Sequence, residues 1–433
     1  MTIRGSWWQP DGTPICAGVV NSPLPTAQQE EEAYHGFLPL PLLLFIISIP
    51  LPITTSFNLG PLRLTLYRLI LIIFIIPCVL KVFGRSKTHI FDYALFFSSF
   101  WAMFSLIVNH GPGMGIESGG IFFLESAGPY FMARAYIRSS KDMKNVVIFL
   151  FAVIAILALC AIPESAAGLR FLQPGRAYPF IEDRMGLKRA FASFEHPILF
   201  GVYASSVLGL CWYILSIKYK SLVKRAALCL PLFVGTFLAL SSGPLAALVS
   251  QFSLICWDTV LKFLKKRWHI LLVLMIIAYV AIDLLSNRTP LKVAFTYLVF
   301  NPHTAYYRIS IWEHGIVDVI NNPVFGIGFN PWNKPSWIES YSMDMFWLLL
   351  AVRHGLPTVL CLAFSCIWIG VGMIRKISAE SPFYPYKMGW LISMAGFIAS
   401  GWAVHFWNSL FVHFFFMLGI GGWVLDLTNE ESS

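Results

Sequence analysis

Two stretches of this chain concentrate side chains that could hold a multiply charged anion. Residues 164–190 contain Arg170, Arg176, Arg184, Lys188 and Arg189, and residues 286–343 contain Arg288, Lys292, Arg308 and Lys334. A guanidinium is a planar fork of fixed charge, so it grips a diphosphate through paired hydrogen bonds. The plainer reading of any one of these cations is that it solvates a loop or touches an anionic headgroup. Just beyond the first stretch stand Glu195 and His196; directly after the second stands Asp344, at the head of an apolar run. An Asp in that position commonly caps a helix. As an acceptor-only carboxylate it can also take the proton of a hydroxyl nucleophile.

Other chemistries find little support. The run HGPGMGIESGG (His110 to Gly120) lacks the strand-before, helix-after setting of a phosphate loop and reads as an external turn. The GIGF segment at 326–329 lacks the third glycine of a dinucleotide fingerprint. His405 and His413 have no third ligand nearby, and the eight cysteines show neither zinc nor redox spacing. No metal site, no cofactor and no disulfide framework is therefore expected. Glu125 interrupts an apolar run and needs a cation beside it; Arg134, Arg63 and Arg68 are the candidates.

The elements that must position these residues are set by composition. Of 433 residues, 57% are hydrophobic and only 12% charged, with a mean hydropathy of +0.69. A soluble domain carries roughly a quarter of charged residues, so the chain reads as an all-α, polytopic integral membrane protein. The apolar runs are continuous rather than alternating, which argues against a β-barrel. They fall near 37–54, 62–83, 91–108, 121–138, 146–163, 191–217, 226–242, 244–261, 268–285, 345–374, 388–404 and 409–427. At roughly 20 residues per span this predicts about 12 transmembrane helices. The net charge of +9 sits mostly in bunches between runs: Lys81, Arg85 and Lys87; Arg138, Lys141 and Lys144; Lys218 to Arg225; Lys262 to Arg267; Arg375 to Lys387. With twelve spans every bunch falls on one side, which makes both termini cytoplasmic and the bilayer, not nucleic acid, the partner of this charge. Residues 1–35 read as a flexible cytoplasmic tail and 36–428 as one membrane domain, with external loops at 164–190 and 286–343. In the second loop, Tyr306 to Ile320 is helical in pattern, with Ile309, Trp312, Ile316 and Val319 on one face.

Three segments carry a resemblance. RAFASFEHPILFGVY (Arg189 to Tyr203) is similar to the helix entry, with its Arg and His-Pro, of the O-antigen ligase/polymerase superfamily. YYRISIWEHGIVDVINNPVFGIGFNPW (Tyr306 to Trp332) resembles that family's external segment, which joins an Arg and a Trp to an NP-x-FGiG motif. ESAGPYFMARAYIRSSKDM (Glu125 to Met143) is similar to the fourth-helix region of exopolysaccharide-polymerase members. The resemblance spans roughly residues 60–420. It implies a multi-span glycosyltransferase of the GT-C type. Such members move glycan from an undecaprenyl-diphosphate carrier to a hydroxyl on the outer face of the cytoplasmic (inner) membrane, without nucleotide sugar or metal. The partners implied are the lipid-linked oligosaccharide, the growing polysaccharide acceptor and a chain-length regulator, whose involvement the sequence leaves open.

Carried over residue by residue, the resemblance singles out Arg189 and Arg308 for the diphosphate. Arg176, Arg184, Glu195, His196, Trp312, Lys334 and Arg353 stand as further substrate-contacting candidates. Ligase members place a catalytic His where this chain, aligned on Gly355, Leu356 and Pro357, has Asp344. That departure favours a polymerase and makes Asp344 the candidate base, kept ionised by Arg308 or Arg353. Attack opposite an α-linked diphosphate would invert the anomeric centre. Two alternatives stay open: a ligase delivering a finished glycan to lipid A core or another acceptor, and a flippase.

Overall fold

Backbone amides and carbonyls have no water partner in hydrocarbon, so apolar runs of this kind must pair their polar groups internally, as helices. The structure, a computed structural model, describes residues 38–60, 62–85, 88–174, 183–297, 302–338 and 341–427. The tail 1–35, Lys87 and Arg176 lie outside these. All the described elements lie within Leu38–Ser433.

Each of the twelve apolar runs contains helix. In chain order the helices are α1 (Leu40–Ser48), α2 (Leu66–Phe83), α3 (Ile90–Tyr136), α4 (Ser140–Ala167), α5 (Pro197–Ser205), α6 (Leu208–Lys218), α7 (Leu222–Leu238) and α8 (Ser242–Val260). They continue with α9 (Arg267–Leu285), α10 (Pro290–Tyr297), α11 (Pro302–Asn321), α12 (Phe346–His354), α13 (Leu356–Lys376), α14 (Tyr384–Ser400), α15 (Ser409–Ile420) and α16 (Trp423–Asp426). The strands among the described residues are β1 (Phe57–Leu59) and β2 (Leu62–Leu64), an antiparallel pair with Phe57 opposite Leu64. Among the described residues, seven helical segments are long and apolar enough to cross a membrane; α5 with α6, and α15 with α16, each count as one. The protein is thus an all-α polytopic membrane protein. Around α3 pack α2, α13 and α15; around α5 and α6 pack α7, α8 and α14. Helix α9 is apolar along its length and has no buried residue, as expected of a helix facing lipid tails.

Helix α3 is two arms. Gly111 has φ 79° and ψ 170°, and the chain reverses there. The arms then run side by side. A Cβ on Gly115 would lie 2.5 Å from the Ile107 Cα and one on Gly119 2.8 Å from the Met103 Cα. Further down, Ser126 Oγ donates to Ser99 Oγ at 2.8 Å and Tyr130 Oη to Asp92 Oδ1 at 2.6 Å. Gly111, Gly115 and Gly119 recur every fourth residue, the small-residue spacing that lets helix backbones touch in a membrane. The external turn expected at His110–Gly120 therefore shrinks to one residue, and 112–120 is helix. The same angles recur at Gly355 (φ 80°, ψ 170°), which separates α12 from α13.

The helix expected at Tyr306–Ile320 is present as α11. Its Ile309, Trp312, Ile316 and Val319 join a second hydrophobic core with Leu348, Leu349 and Val352 of α12. The first core fills the rest of the bundle. Several basic loops gather at one end of that bundle. Arg85 donates to the carbonyls of Arg134 and Ala135 at 2.9 and 3.1 Å, and Lys376 Nζ to that of Leu425 at 2.8 Å.

Candidate active site

The segment from Arg184 to His196 is held by groups on α4 and just after it. Glu164 Oε1 and Oε2 accept from the amides of Phe191 and Ala192 at 3.3 and 2.9 Å. Ser165 Oγ donates to the Lys188 carbonyl at 2.7 Å, while Gln173 Nε2 donates to the carbonyls of Ala192 and Phe194 at 3.2 and 2.7 Å. His196 then caps α5: its Nδ1 accepts from the Ile198 amide at 3.2 Å, and Pro197 fills the first helical position, where no amide is needed. Glu195 Oε2 accepts from Trp407 Nε1 at 3.2 Å and from Asn408 Nδ2 at 2.7 Å.

The two arginines of this segment reach the same turn. Arg184 Nη1 donates to the Leu240 carbonyl at 2.9 Å and Arg189 Nε to the Ala239 carbonyl at 3.3 Å. These carbonyls close the C-terminus of α7, the negative end of a helix dipole, where a cation is stabilised. Arg308 arrives from α11. Its side chain is buried, and its charge interacts with Asp344 and Arg184. Burial pushes its pKa below the ordinary arginine value; Asp344 opposes that shift, and Arg184 adds to it. Burial, helped by Arg189 and Arg184, also holds the His196 imidazole down to about 4, so it is neutral at pH 7. Arg184, Arg189, His196, Arg308 and Asp344 are therefore brought to one place from residues far apart in the chain.

Two local features accompany this cluster. Arg308 Nε, Glu195 Oε1 and Ser193 Oγ are buried without a hydrogen-bond partner among the described residues. Such atoms are uncommon in a settled interior. In addition, the non-glycine residues with positive φ among the described residues are Met185 (54°), Ala192 (50°), Leu240 (45°) and Asn408 (49°). Met185 adjoins Arg184, Leu240 carries its acceptor, Ala192 is held by Glu164, and Asn408 holds Glu195. Backbone strain of this kind collects where a site is held in shape by its surroundings.

Asp344 does not cap α12. The N-cap is Met345, with no side-chain cap bond, and Phe346 N donates instead to the carbonyls of Gly401 and Val404 at 2.8 and 3.1 Å. Nonlocal carbonyls thus satisfy the amide that a cap would have taken. Asp344 Oδ1 accepts from Ser342 Oγ at 3.0 Å. Its cationic neighbour is Arg308; the charge of Arg353 registers at His405 instead. Three further candidates lie elsewhere. Trp312 packs on Trp402 with ring centroids 5.7 Å apart, Lys334 lies over Tyr341 at 4.5 Å, and Arg353 over Phe329 at 5.3 Å. Arg176 is outside the described residues. Glu125 takes Arg68, at 2.7 Å, as its partner and also accepts from Tyr67 Oη at 3.0 Å. No group of three or more His, Cys, Asp or Glu side chains among the described residues could hold a metal ion.

Glu164, Gln173, Trp407 and Asn408 are not legible in the sequence as site residues. Glu164 carries the one usable signal, a carboxylate at the end of an apolar run. The others act through backbone carbonyls or through a carboxylate distant in sequence.

No curated protein matches the chain. Residues 227–363 match the family described as O-antigen ligase. The matched segment contains Arg308, Trp312, Lys334, Asp344 and Arg353. That match supports the resemblance to the O-antigen ligase/polymerase superfamily over this segment.

Proposed function

We propose that the protein polymerises lipid-linked oligosaccharide repeat units of exopolysaccharide or O-antigen type. It would transfer glycan from an undecaprenyl-diphosphate carrier to an acceptor sugar hydroxyl on the outer face of the cytoplasmic membrane. The observation that carries this reading is the convergence of Arg184, Arg189 and Arg308 beside Asp344. In the proposed step the acceptor oxygen attacks the anomeric carbon while the bond to the diphosphate oxygen breaks. The electron pair of that bond leaves with the carrier, and the acceptor proton passes to Asp344. Negative charge grows on the departing diphosphate, where fixed guanidinium groups stabilise the transition state more than the ground state. Attack opposite the leaving group inverts the anomeric centre of an α-linked donor.

The gathering of Arg85, Arg134 and Lys376 at one end of the bundle supports an orientation with that end cytoplasmic. In a cysteine-free background, a cysteine at Asn333 should then be labelled from outside and one at Lys265 should not. The matched family's description favours a ligase as the second reading; the carboxylate at 344 favours the polymerase. A deletion strain separates them. Single lipid-linked repeats accumulating in the outer leaflet would support the polymerase. Finished lipid-linked polymer awaiting transfer would support the ligase, and repeats trapped in the inner leaflet would overturn both in favour of a flippase.

A further inference from the structure

The GIGFNPW segment builds a cavity that the diphosphate chemistry does not use. Its volume is about 380 Å³, and its walls include Phe329, Asn330, Trp332, Tyr341, Met343 and Arg353. That volume lies in the range of small-molecule sites, which begin at about 300 Å³. The lining joins three aromatic rings to a planar amide and a planar guanidinium. Apolar ring faces suit the C–H faces of a pyranose, and forked donors suit its hydroxyls. A hydrocarbon tail would have no use for Asn330 and Arg353.

The walls are preformed. Ile327 and Gly328 donate their amides to the carbonyls of Val352 and Arg353 at 2.8 and 3.0 Å, which closes the C-terminus of α12 onto the loop. Gly326 and Gly328 both have φ 61°, and a Cβ on Gly326 would lie 2.4 Å from the Val352 oxygen. From α3, Asn109 Nδ2 donates to the Phe325 carbonyl at 3.0 Å, and His110 Nε2 accepts from the Phe329 amide at 2.7 Å. The Trp332 ring is fixed by its own Nε1, which donates to the Tyr341 carbonyl at 3.1 Å. A binding surface held this way loses little entropy on taking a ligand.

Position decides the occupant. Met343 is in the cavity wall, and the next residue, Asp344, interacts with Arg308. The carboxylate therefore adjoins the cavity wall in sequence and lies within electrostatic reach of Arg308. We propose that the cavity is the acceptor subsite: it binds the terminal sugar of the incoming glycan and presents one hydroxyl to Asp344, with the diphosphate held on the far side. The assignment of the sugar as acceptor rests on the polymerase reading; the prediction that the cavity binds a saccharide does not.

The test uses full-length protein in lipid nanodiscs and two separate probes. One is the repeat-unit oligosaccharide freed from its carrier by mild acid, which has neither lipid nor phosphate. The other is inorganic pyrophosphate. Tyr341 is 60% exposed, so Tyr341→Ala should not disturb folding. It should weaken oligosaccharide binding about tenfold, the loss of roughly one aromatic contact, and leave pyrophosphate binding unchanged. Phe329→Ala should behave alike, and Arg308→Ala in the opposite sense. In transfer assays Tyr341→Ala should raise the acceptor KM and leave the donor KM unchanged. Wild-type oligosaccharide affinity in both aromatic variants, or no oligosaccharide binding by the wild type, would overturn the proposal. Oligosaccharide binding that depends on Tyr341 in a protein indifferent to pyrophosphate would uphold the cavity and remove the diphosphate reading instead.

Discussion

Two buried arginines, at different ends of the bundle, have been given opposite surroundings. Arg134 has no exposed side-chain surface and is saturated. Its Nε and Nη2 donate to Asp92 at 3.0 and 3.2 Å and its Nη1 to Asp426 at 2.9 Å. Tyr130 completes Asp92, and His89 lies 2.8 Å from Asp426. Arg308 is nearly as buried, yet its Nε has no partner among the described residues, and of the charges it feels one is attractive and one repulsive. The first arrangement joins both arms of α3 to α16 and leaves little capacity for anything else. The second is a buried cation that is incompletely paired among the described residues, which is why we propose an arriving anion to complete it. Pairing completeness, more than burial, separates these two arginines.

The largest effect expected from this contrast is at Asp344. Asp344→Asn keeps size and the contact with Ser342 and removes the charge. A positioned proton acceptor contributes about 10²–10⁴ in rate, so the variant should insert normally and lose turnover by that factor. If well-folded Asp344→Asn protein polymerises at the wild-type rate, Asp344 is reduced to a hydrogen-bond acceptor for Ser342.

Next come the arginines themselves, read on two axes. Removing Arg134 strands Asp92 in a dry interior and takes a partner from Asp426, which costs about 3–5 kcal/mol; Arg134→Ala should unfold at a markedly lower temperature. Arg308→Ala strands only Asp344, which is partly exposed, and relieves an incompletely paired buried cation. Its melting temperature should hold or rise while turnover falls by about 10²–10³. Arg308→Lys keeps the charge without the fork and should still be impaired. If both alanine variants lose stability equally, with activity following stability, the two ends are alike and the contrast fails.

How far these regions can be read from sequence differs for physical reasons. Apolar runs in lipid have one solution for their backbone, so helix follows at every run. The reversal at Gly111 is harder, because a one-residue turn inside eleven polar and glycine-rich residues looks like a loop. The four-residue recurrence of Gly111, Gly115 and Gly119 is the signal that distinguishes it. Arg189 and Arg308 stand out by chemistry and resemblance, whereas the acceptors of Arg184 and Arg189, at Leu240 and Ala239, are backbone atoms that no residue type announces. Asp344 looks like a helix cap because capping is local, but the first amide of α12 goes to carbonyls at 401 and 404, more than fifty residues away. Arg68 cannot be told from Arg63 or Arg134 as the partner of Glu125, since helix crossing decides that choice.

The smallest effect concerns acid, and it sharpens the contrast at the site end. The pKa of His196 is held down to about 4 by burial and by two arginines, and that of His405 to about 3 by burial and Arg353. An unfolded His titrates near 6.5. Below that pH the unfolded chain binds protons that the folded protein refuses, so stability is fully present above about 6.5 and declines as pH falls toward 4. His196→Asn retains an oxygen able to accept from the α5 amides but has nothing to titrate. Melting curves taken from pH 7 to pH 4 should therefore fall less steeply for His196→Asn than for the wild type, with His405 and the carboxylates supplying the slope common to both. Identical slopes would mean that His196 is solvated well enough to take a proton, and that the arginine cluster stands in water rather than in the dry, cationic surroundings that make an unfinished ion pair attractive to a diphosphate. A shallower slope in the variant would also show that the imidazole is neutral beside the guanidinium groups at pH 7.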